Sequence, residues 1–351
     1  MQSTRQSRKL DHVRCALELS DGPAENGFQD VQLLHHCLPE LSLTEISLAT
    51  SVGKQTLTHP LIINALTGGA QDVAYLNERL AVLARETQSV LAVGSQYAAV
   101  EEPELAETFR VVRRHLPQGT VWANLGAYAT PAQAVMAVEM LDAAALQLHL
   151  NVAQELFMAE GDRDFRNYRD NIAAICSAVS VPVIVKEVGC GMRREAAESL
   201  LGCGAAALDI GGSGGTNFIA IEAKRKNEFL AEDLLAWGIP TACSLLETGS
   251  VVQRQRAALI ASGGVRTALE VVKALALGAD AVALAAPALR LVWSGDLKAA
   301  VEQWQALLMQ IRQLLLLSGC SGIEELQKSP VVLTGLVESW SRQRGLTRRF
   351  F

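Results

Sequence analysis

The amino-acid sequence predicts an α/β chain of the TIM-barrel type, a (β/α)8 barrel with an N-terminal extension and C-terminal helices. Eight short, nearly continuous apolar runs predict strands buried on both faces, as in a parallel sheet. Helical patterns separate most of them, most clearly at 76–87 and 267–278. The starts of successive runs are mostly 20 to 36 residues apart, which suits one strand–helix unit. A doubly wound open sheet is the alternative arrangement of the same units.

Taken in order, residues 1–60 precede the first run and are mixed in character. The runs are LIINAL (61–66), SVLAVGS (89–95), VWANLG (121–126), ALQLHLN (145–151), VPVIVKEVG (181–189), AAALDIGG (205–212), ALIASGG (258–264) and ADAVALAAP (279–287). The gap between the sixth and seventh is much longer. The stretch TNFIAIEAKRKNEFLAEDLLAWGIPTACSLLE within it reads as an extended loop plus an extra helix. The most apolar window, 274–293, carries Asp280, Pro287 and Arg290. A membrane-spanning helix wants about 20 apolar residues with few or no charges, so this window reads as a helix end, a turn at Gly278 and a buried strand. KAAVEQWQALLMQIRQLLLLSG reads as a long helix ended by Gly319. The chain is expected to be one domain, with the extension over 1–60, the barrel over 61–290 and C-terminal helices over 291–351.

Composition agrees with this architecture. Hydrophobic residues make up 50% of the 351 and aromatics only 5%, which favours interleaved strands and helices over an all-β sandwich. The net charge of -6 gives no general attraction to nucleic acid or anionic membrane. Seven scattered cysteines without a C-x-x-C pair predict reduced thiols in a cytoplasmic protein, not a disulfide framework or zinc site. The first residues contain no apolar signal core.

A barrel of this kind places its active site at the C-terminal ends of the strands. The loop after the sixth strand, GGSGGT (211–216), matches neither a nucleoside-triphosphate loop nor a dinucleotide fingerprint. Together with SGGVR (262–266) it can offer backbone N–H groups to a phosphate, because glycine lets the backbone approach closely. Lys186 lies inside an apolar strand, where an unpaired ammonium is expensive. It therefore either pairs with a carboxylate such as Asp209 on the next strand or faces an electron-rich ring or a carbonyl. His149 and Asn151 alternate on the fourth strand and point to one side, with Gln154 and Glu155 following at once. Glu155 could hold Mg²⁺ alongside substrate phosphate oxygens. The segment RKLDH (8–12) alone reads as a solvated basic patch.

Taken together, RKLDH, INALTGG, VGSQ, HLNVAQELFMAEGDRDF, VPVIVKEVGCG, GGTNFIAIEAKR and SGGVRTALEVVKALALGAD resemble type II isopentenyl-diphosphate delta-isomerase, the FMN-dependent form. The likeness covers nearly the whole chain. It implies that FMN binds through Ala65, Leu66, Thr67, Ser95, Asn124 and Lys186 around the ring and its side chain. Its phosphate would rest on Thr216, Gly263, Gly264, Ala285 and Ala286. Substrate binding is implied for Arg8, Lys9, Ser95, Gln96 and Gln154, a catalytic part for Gln154 and His149, and Mg²⁺ binding for Glu155. The implied reaction converts isopentenyl diphosphate to dimethylallyl diphosphate in isoprenoid biosynthesis. Reduced FMN would act as acid and base, NADPH would keep it reduced, and the chain would form a tetramer or octamer. The same motifs leave open an FMN-dependent oxidoreductase of the hydroxy-acid oxidase type, or a barrel that has lost activity and only binds. Two positions depart from the family pattern: Tyr97 stands where an arginine is usual, and Gly211 where a serine is usual. Losing that guanidinium is expected to weaken diphosphate binding, with Arg193 or Arg194 as candidate replacements.

Overall fold

The computed structural model describes residues 13–19, 22–66, 68–293 and 295–346. All eight apolar runs form strands: β1 (Leu61–Ile63), β2 (Val90–Ala92), β3 (Val121–Gly126), β4 (Ala145–Leu150), β5 (Val183–Glu187), β6 (Ala207–Asp209), β7 (Ala258–Ala261) and β8 (Ala281–Leu284). They pair in parallel and in chain order, and β8 closes onto β1 through Val282↔Leu61 and Ile63↔Leu284. The sheet is therefore a closed barrel, and the doubly wound alternative is excluded.

Strand parity sorts the inward side chains into two layers. The lower layer is apolar and holds Ile62, Val90, Trp122, Ala145, Ile184, Ala207, Ile260 and Ala281. A hairpin of Thr50–Val52 and Gln55–Leu57 plugs this end, contributing Val52 and Leu57 to the same cluster. Trp122 is fully buried, and its indole N–H finds Gln55 Oε1 at 2.9 Å, as a buried tryptophan requires. The upper layer is polar: Asn64, Asn124, Gln147, His149, Lys186, Asp209 and Ser262 continue the same inward positions toward the strand ends. The barrel thus has an apolar floor and a polar top, and the chemistry belongs to the top.

The surrounding helices start where their sequences say they should. Thr130 and Gln133 form a reciprocal cap on Pro131–Leu141, whose proline sits where its missing N–H costs nothing. Thr267 and Glu270 do the same for Ala268–Ala276. The expected helix at 76–87 is Ala74–Thr87, and the C-terminal one is Leu297–Leu317, with Gly319 at φ +70 beyond its end. The latter packs on Ala74–Thr87 and Ala268–Ala276. Val31–Leu33 pairs antiparallel with Val331–Leu333, so the two flanking segments of the chain meet on one side of the barrel.

Two expectations need correction. The gap between β6 and β7 is not a loop with one helix. It forms Phe218–Lys226, the single turn Glu232–Leu235, and the long helix Thr241–Gln255, which packs on β7 as the barrel's own sixth helix. In the window 274–293 the chain does not end in strand, because Ala286–Trp293 turns into a further helix.

Below the barrel, His59 is buried and its Nε2–H donates to the Thr87 carbonyl at 2.8 Å, while Nδ1 accepts from Leu61 N–H at 3.2 Å. Burial holds its pKa below the ordinary 6.5. The native state therefore prefers the neutral ring. Its stabilising effect is complete above the unfolded-state value and is lost as pH falls through the window below it. Urea unfolding is expected to show a steeper loss of stability between about pH 7 and about pH 5 in the parent than in His59→Asn. Parallel curves for the two would refute the assignment.

Candidate active site

The upper ends of the strands open into a cavity of about 950 Å3. Ala65 and Leu66 after β1, Ser95 after β2, Asn124 on β3 and His149 on β4 all line it. So do Gln154 and Glu155 on the short helix Val152–Phe157, Lys186 on β5, Thr216, Gly263 and Gly264 on the glycine loops, and Ala285 and Ala286 after β8. Arg8, Lys9 and Thr67 lie outside the described residues. Gln96 is the exception among the expected site residues. It is fully buried, its Nε2 donates to Ala137 O at 2.9 Å, and its Oε1 accepts from Asn124 N–H at 3.0 Å. Its amide ties the β2 end to β3 and a helix, and does not line the cavity.

The two glycine loops are interlocked. A Cβ on Gly263 would sit 2.0 Å from Gly212 O, one on Gly264 2.3 Å from Gly214 O, and one on Gly215 2.4 Å from Gly264 N. No side chain fits between them, so backbone alone forms this wall. Thr241 Oγ1 donates to Gly263 O at 2.6 Å and Asn26 Nδ2 to Gly264 O at 2.7 Å, fixing the loops from behind. The Arg266 guanidinium also braces them, donating to the carbonyls of Gly264 and Gly214.

Gly211, the departure in this loop, now has a physical reason. Its φ is +46, and a Cβ there would come 2.1 Å from Glu187 O. Its carbonyl accepts from Gly191 N–H at 2.9 Å. In this chain the loop presses so closely on the turn after β5 that only glycine fits.

Lys186 is 6% exposed. Its Nζ lies 4.0 Å from Asp209 Oδ2 and donates to Glu187 O at 2.8 Å. The expected pair with Asp209 is present, and Lys186 also lines the cavity. Next to it, the buried Glu187 carboxylate accepts from the N–H groups of Val188, Gly189 and Cys190 at 2.6 to 2.7 Å. Burial outweighs these donors and raises its pKa to about 7. Burial likewise pushes the Cys190 and Cys243 thiols up to about 12, so neither is a thiolate at neutral pH.

Gln154 and Glu155 line the same cavity as the glycine wall. Gln154 Nε2 donates to Glu222 Oε1 at 3.3 Å, and Glu222 is fully buried and paired with Arg225. Glu155 is 8% exposed; it accepts from Asn151 Nδ2 at 2.7 Å and from Asp162 N–H at 3.0 Å. Each carboxylate oxygen keeps a further lone pair. Among the described residues no three His, Cys, Asp or Glu side chains cluster as a metal site. A cation here would take one protein carboxylate and complete its shell with substrate oxygens and water, which suits Mg²⁺.

Tyr97 lines the cavity with its ring edge-on to Tyr128, centroids 5.0 Å apart. The expected replacements for the missing arginine are elsewhere. Arg193 is 70% exposed beside Glu195, and neither it nor Arg194 lines the cavity. The sequence does not single out the side chains of Asn64 and Gln147, and it marks Ser262 only as the start of the SGGVR loop. The signal was present for the first two: each is a polar residue within an apolar run, and Gln147 shares the parity of His149.

The backbone cradle and the cavity's polar floor define a class. A family model described as FMN-dependent dehydrogenase matches residues 111–333, well over half of the chain. Isopentenyl-diphosphate delta-isomerases from Bacillus pumilus (44% identity, 99% of this chain, 97% of the relative), Symbiobacterium thermophilum (44%, 97% and 96%) and Staphylococcus haemolyticus (41%, 97% and 97%) narrow it. The chain belongs to the isopentenyl-diphosphate delta-isomerase family, an enzyme family of the isomerase class. Among solved structures, a lactate oxidase of Pediococcus acidilactici (TM-score 0.67, 18% identity, 88% of this chain, 84% of that one) shares the fold. A mandelate oxidase does too (TM-score 0.68, 16% identity, 95% and 98%).

Proposed function

We propose that this protein converts isopentenyl diphosphate to dimethylallyl diphosphate in isoprenoid biosynthesis, with FMN on the glycine wall and Mg²⁺ at Glu155. The observation that carries the reading is that one cavity is lined by two different sites. One is the backbone cradle of the glycine loops, suited to a cofactor phosphate. The other is Gln154 with Glu155. Thr216, Gly263, Gly264, Ala285 and Ala286 would hold the phosphate, and Ala65, Leu66, Ser95, Asn124 and Lys186 the rest of the cofactor. Thr67 would join them, and Arg8 and Lys9 would grip the substrate diphosphate; these three follow from the family resemblance. So do NADPH as reductant, a cytoplasmic location, a homo-oligomer and a single domain spanning the chain.

The reaction shifts a double bond with no net redox change, so a proton is added at one carbon and removed at another. Reduced FMN, when bound, supplies acid and base chemistry beside an alkene that is itself a very weak base. The chain's residues orient and neutralise. Lys186, held by Asp209, presents a fixed positive charge to the cavity floor. Glu222 fixes the amide of Gln154, so that its remaining polar edge meets the substrate in one orientation. Glu155 brings the cation to the diphosphate.

The match to the FMN-dependent dehydrogenase family model favours a second reading, an FMN-dependent oxidoreductase. Anaerobic incubation with isopentenyl diphosphate, FMN, Mg²⁺ and NADPH separates the two. Dimethylallyl diphosphate without stoichiometric NADPH loss is expected; one NADPH consumed per turnover would favour the oxidoreductase. Tyr97→Arg is expected to lower KM about tenfold, since a charge-assisted contact contributes about 1.5–3 kcal/mol. An unchanged KM, or a fall in activity, would show that Tyr97 does not weaken the site.

A further inference from the structure

The polar layer at the top of the barrel is one continuous hydrogen-bonded chain, and its direction is fixed at one end. Asp209 is fully buried, and its carboxylate can only accept. It takes the Ser262 hydroxyl on Oδ1 and Asn64 Nδ2 on Oδ2, the latter at 2.9 Å. Asn64 therefore presents Oδ1 the other way. An independent donor confirms this orientation, because the backbone N–H of Ala65 donates to Asn64 Oδ1 at 2.9 Å. That same oxygen receives Gln147 Nε2 at 3.1 Å. Gln147 then presents Oε1 to Asn124 Nδ2, also at 3.1 Å. Asn124 is left with only its oxygen for His149, and Oδ1 lies 2.9 Å from Nδ1. An oxygen acceptor requires a proton on Nδ1.

We infer that Asp209 acts through Asn64, Gln147 and Asn124 to hold a proton on His149 Nδ1, so that the neutral ring exists as the Nδ1–H tautomer. The amides are read in sequence, and each has one orientation once the first is set. Reversing any of them would point two donors or two acceptors at each other inside a buried layer, where an unmade hydrogen bond carries its full desolvation cost. Gln147 has no exposed surface and lies between the two halves of the chain. Asp209, Asn64 and Gln147 are positioning residues: they act on His149 without lining the same part of the site. Asp209 also pairs with Lys186, so one buried carboxylate sets both the charge of the cavity floor and the tautomer of its histidine. The tautomer stands on the hydrogen bonds alone, whereas its use in catalysis rests on the function proposed above.

The test is nitrogen-15 NMR of FMN-loaded protein labelled at histidine, with His149 assigned from the signal missing in His149→Gln. In the parent, at a pH where the ring is neutral, Nδ1 should resonate as a protonated, pyrrole-type nitrogen and Nε2 as a pyridine-type one. Gln147→Met keeps the length and removes both bonds; it should mix the tautomers and move the histidine's pKa. Its kcat should fall about tenfold or more with KM within about twofold, and the pH profile of kcat should shift. An unprotonated Nδ1 in the parent would overturn the inference, whether or not the variant folds. An unchanged tautomer in a folded Gln147→Met would overturn it as well. Because the NMR measurement uses no substrate, a protein with the expected tautomer but no isomerase activity would refute the proposed function and leave the chain of amides standing.

Discussion

Gly263→Ala is expected to abolish FMN binding at micromolar cofactor while leaving a folded barrel. Gly263 has φ +100, a conformation that costs any L-residue about 1–2 kcal/mol. Its new methyl would sit 2.0 Å from Gly212 O and 2.6 Å from Gly212 N, both backbone atoms of the facing loop. Neither can rotate away, so the loops must part, and forced overpacking costs about another 1–3 kcal/mol. The two terms together, about 2–5 kcal/mol, correspond to a loss of FMN affinity of about 30-fold or more. The strain falls on loops above the strands, so the barrel beneath should keep its circular dichroism. Quenching of free flavin fluorescence during titration reads the affinity directly. A dissociation constant within about twofold of the parent, in a folded variant, would mean that the interlocked loops are not the cofactor's seat.

The second large effect is expected at Glu155→Gln. The amide matches the carboxylate in shape, but Asn151 and Asp162 donate to different oxygens, so its single oxygen keeps one of these bonds, while the backbone bond from residue 155 N–H to Asn151 O continues to hold the short helix. What disappears is the negative charge that a hard cation needs. Activity at about 1 mM Mg²⁺ is expected to fall about 100-fold or more, with partial recovery as Mg²⁺ is raised, while FMN affinity stays within about twofold. Full activity with the parent's Mg²⁺ dependence would remove Glu155 from the metal's shell. The two variants divide the site: one loses the cofactor, the other the cation.

The barrel was legible because its signal is strong and local. Strands buried on both faces leave unbroken apolar runs, and all eight appear where those runs lie. The segment after β6 was harder. Phe218–Lys226 ends in Lys224, Arg225 and Lys226 and shows no clear apolar stripe. Thr241–Gln255 is buried along almost its whole first half, so Thr241, Ser244, Thr248 and Gly249 stand in a helix where propensity alone argues against one. Tertiary burial overrides the local preference there.

The site was legible in its motifs and less so in its wiring. A short motif such as GSQ does not say which side chain faces the cavity. Ser95 does, while Gln96 turns into the packing between β2 and its neighbours. Gln147 and Asn64 are polar residues within apolar runs, and nothing local distinguishes them. Their importance comes from partners 83 and 145 residues away in sequence, at Gln147–Asn64 and Asn64–Asp209. Gly211 shows the opposite case: a departure that pattern could not explain is dictated by the carbonyl of Glu187 pressed against it.

The most direct test of the account is anaerobic turnover of isopentenyl diphosphate in deuterium oxide with FMN, Mg²⁺ and NADPH, followed by proton NMR. A reaction that adds a proton at the terminal alkene carbon and removes one from the allylic CH2 on the other side of the double bond must place deuterium in the newly formed methyl group of dimethylallyl diphosphate. NADPH should remain after many turnovers. Recovery of substrate without product, or a product whose formation consumes NADPH mole for mole, would contradict it.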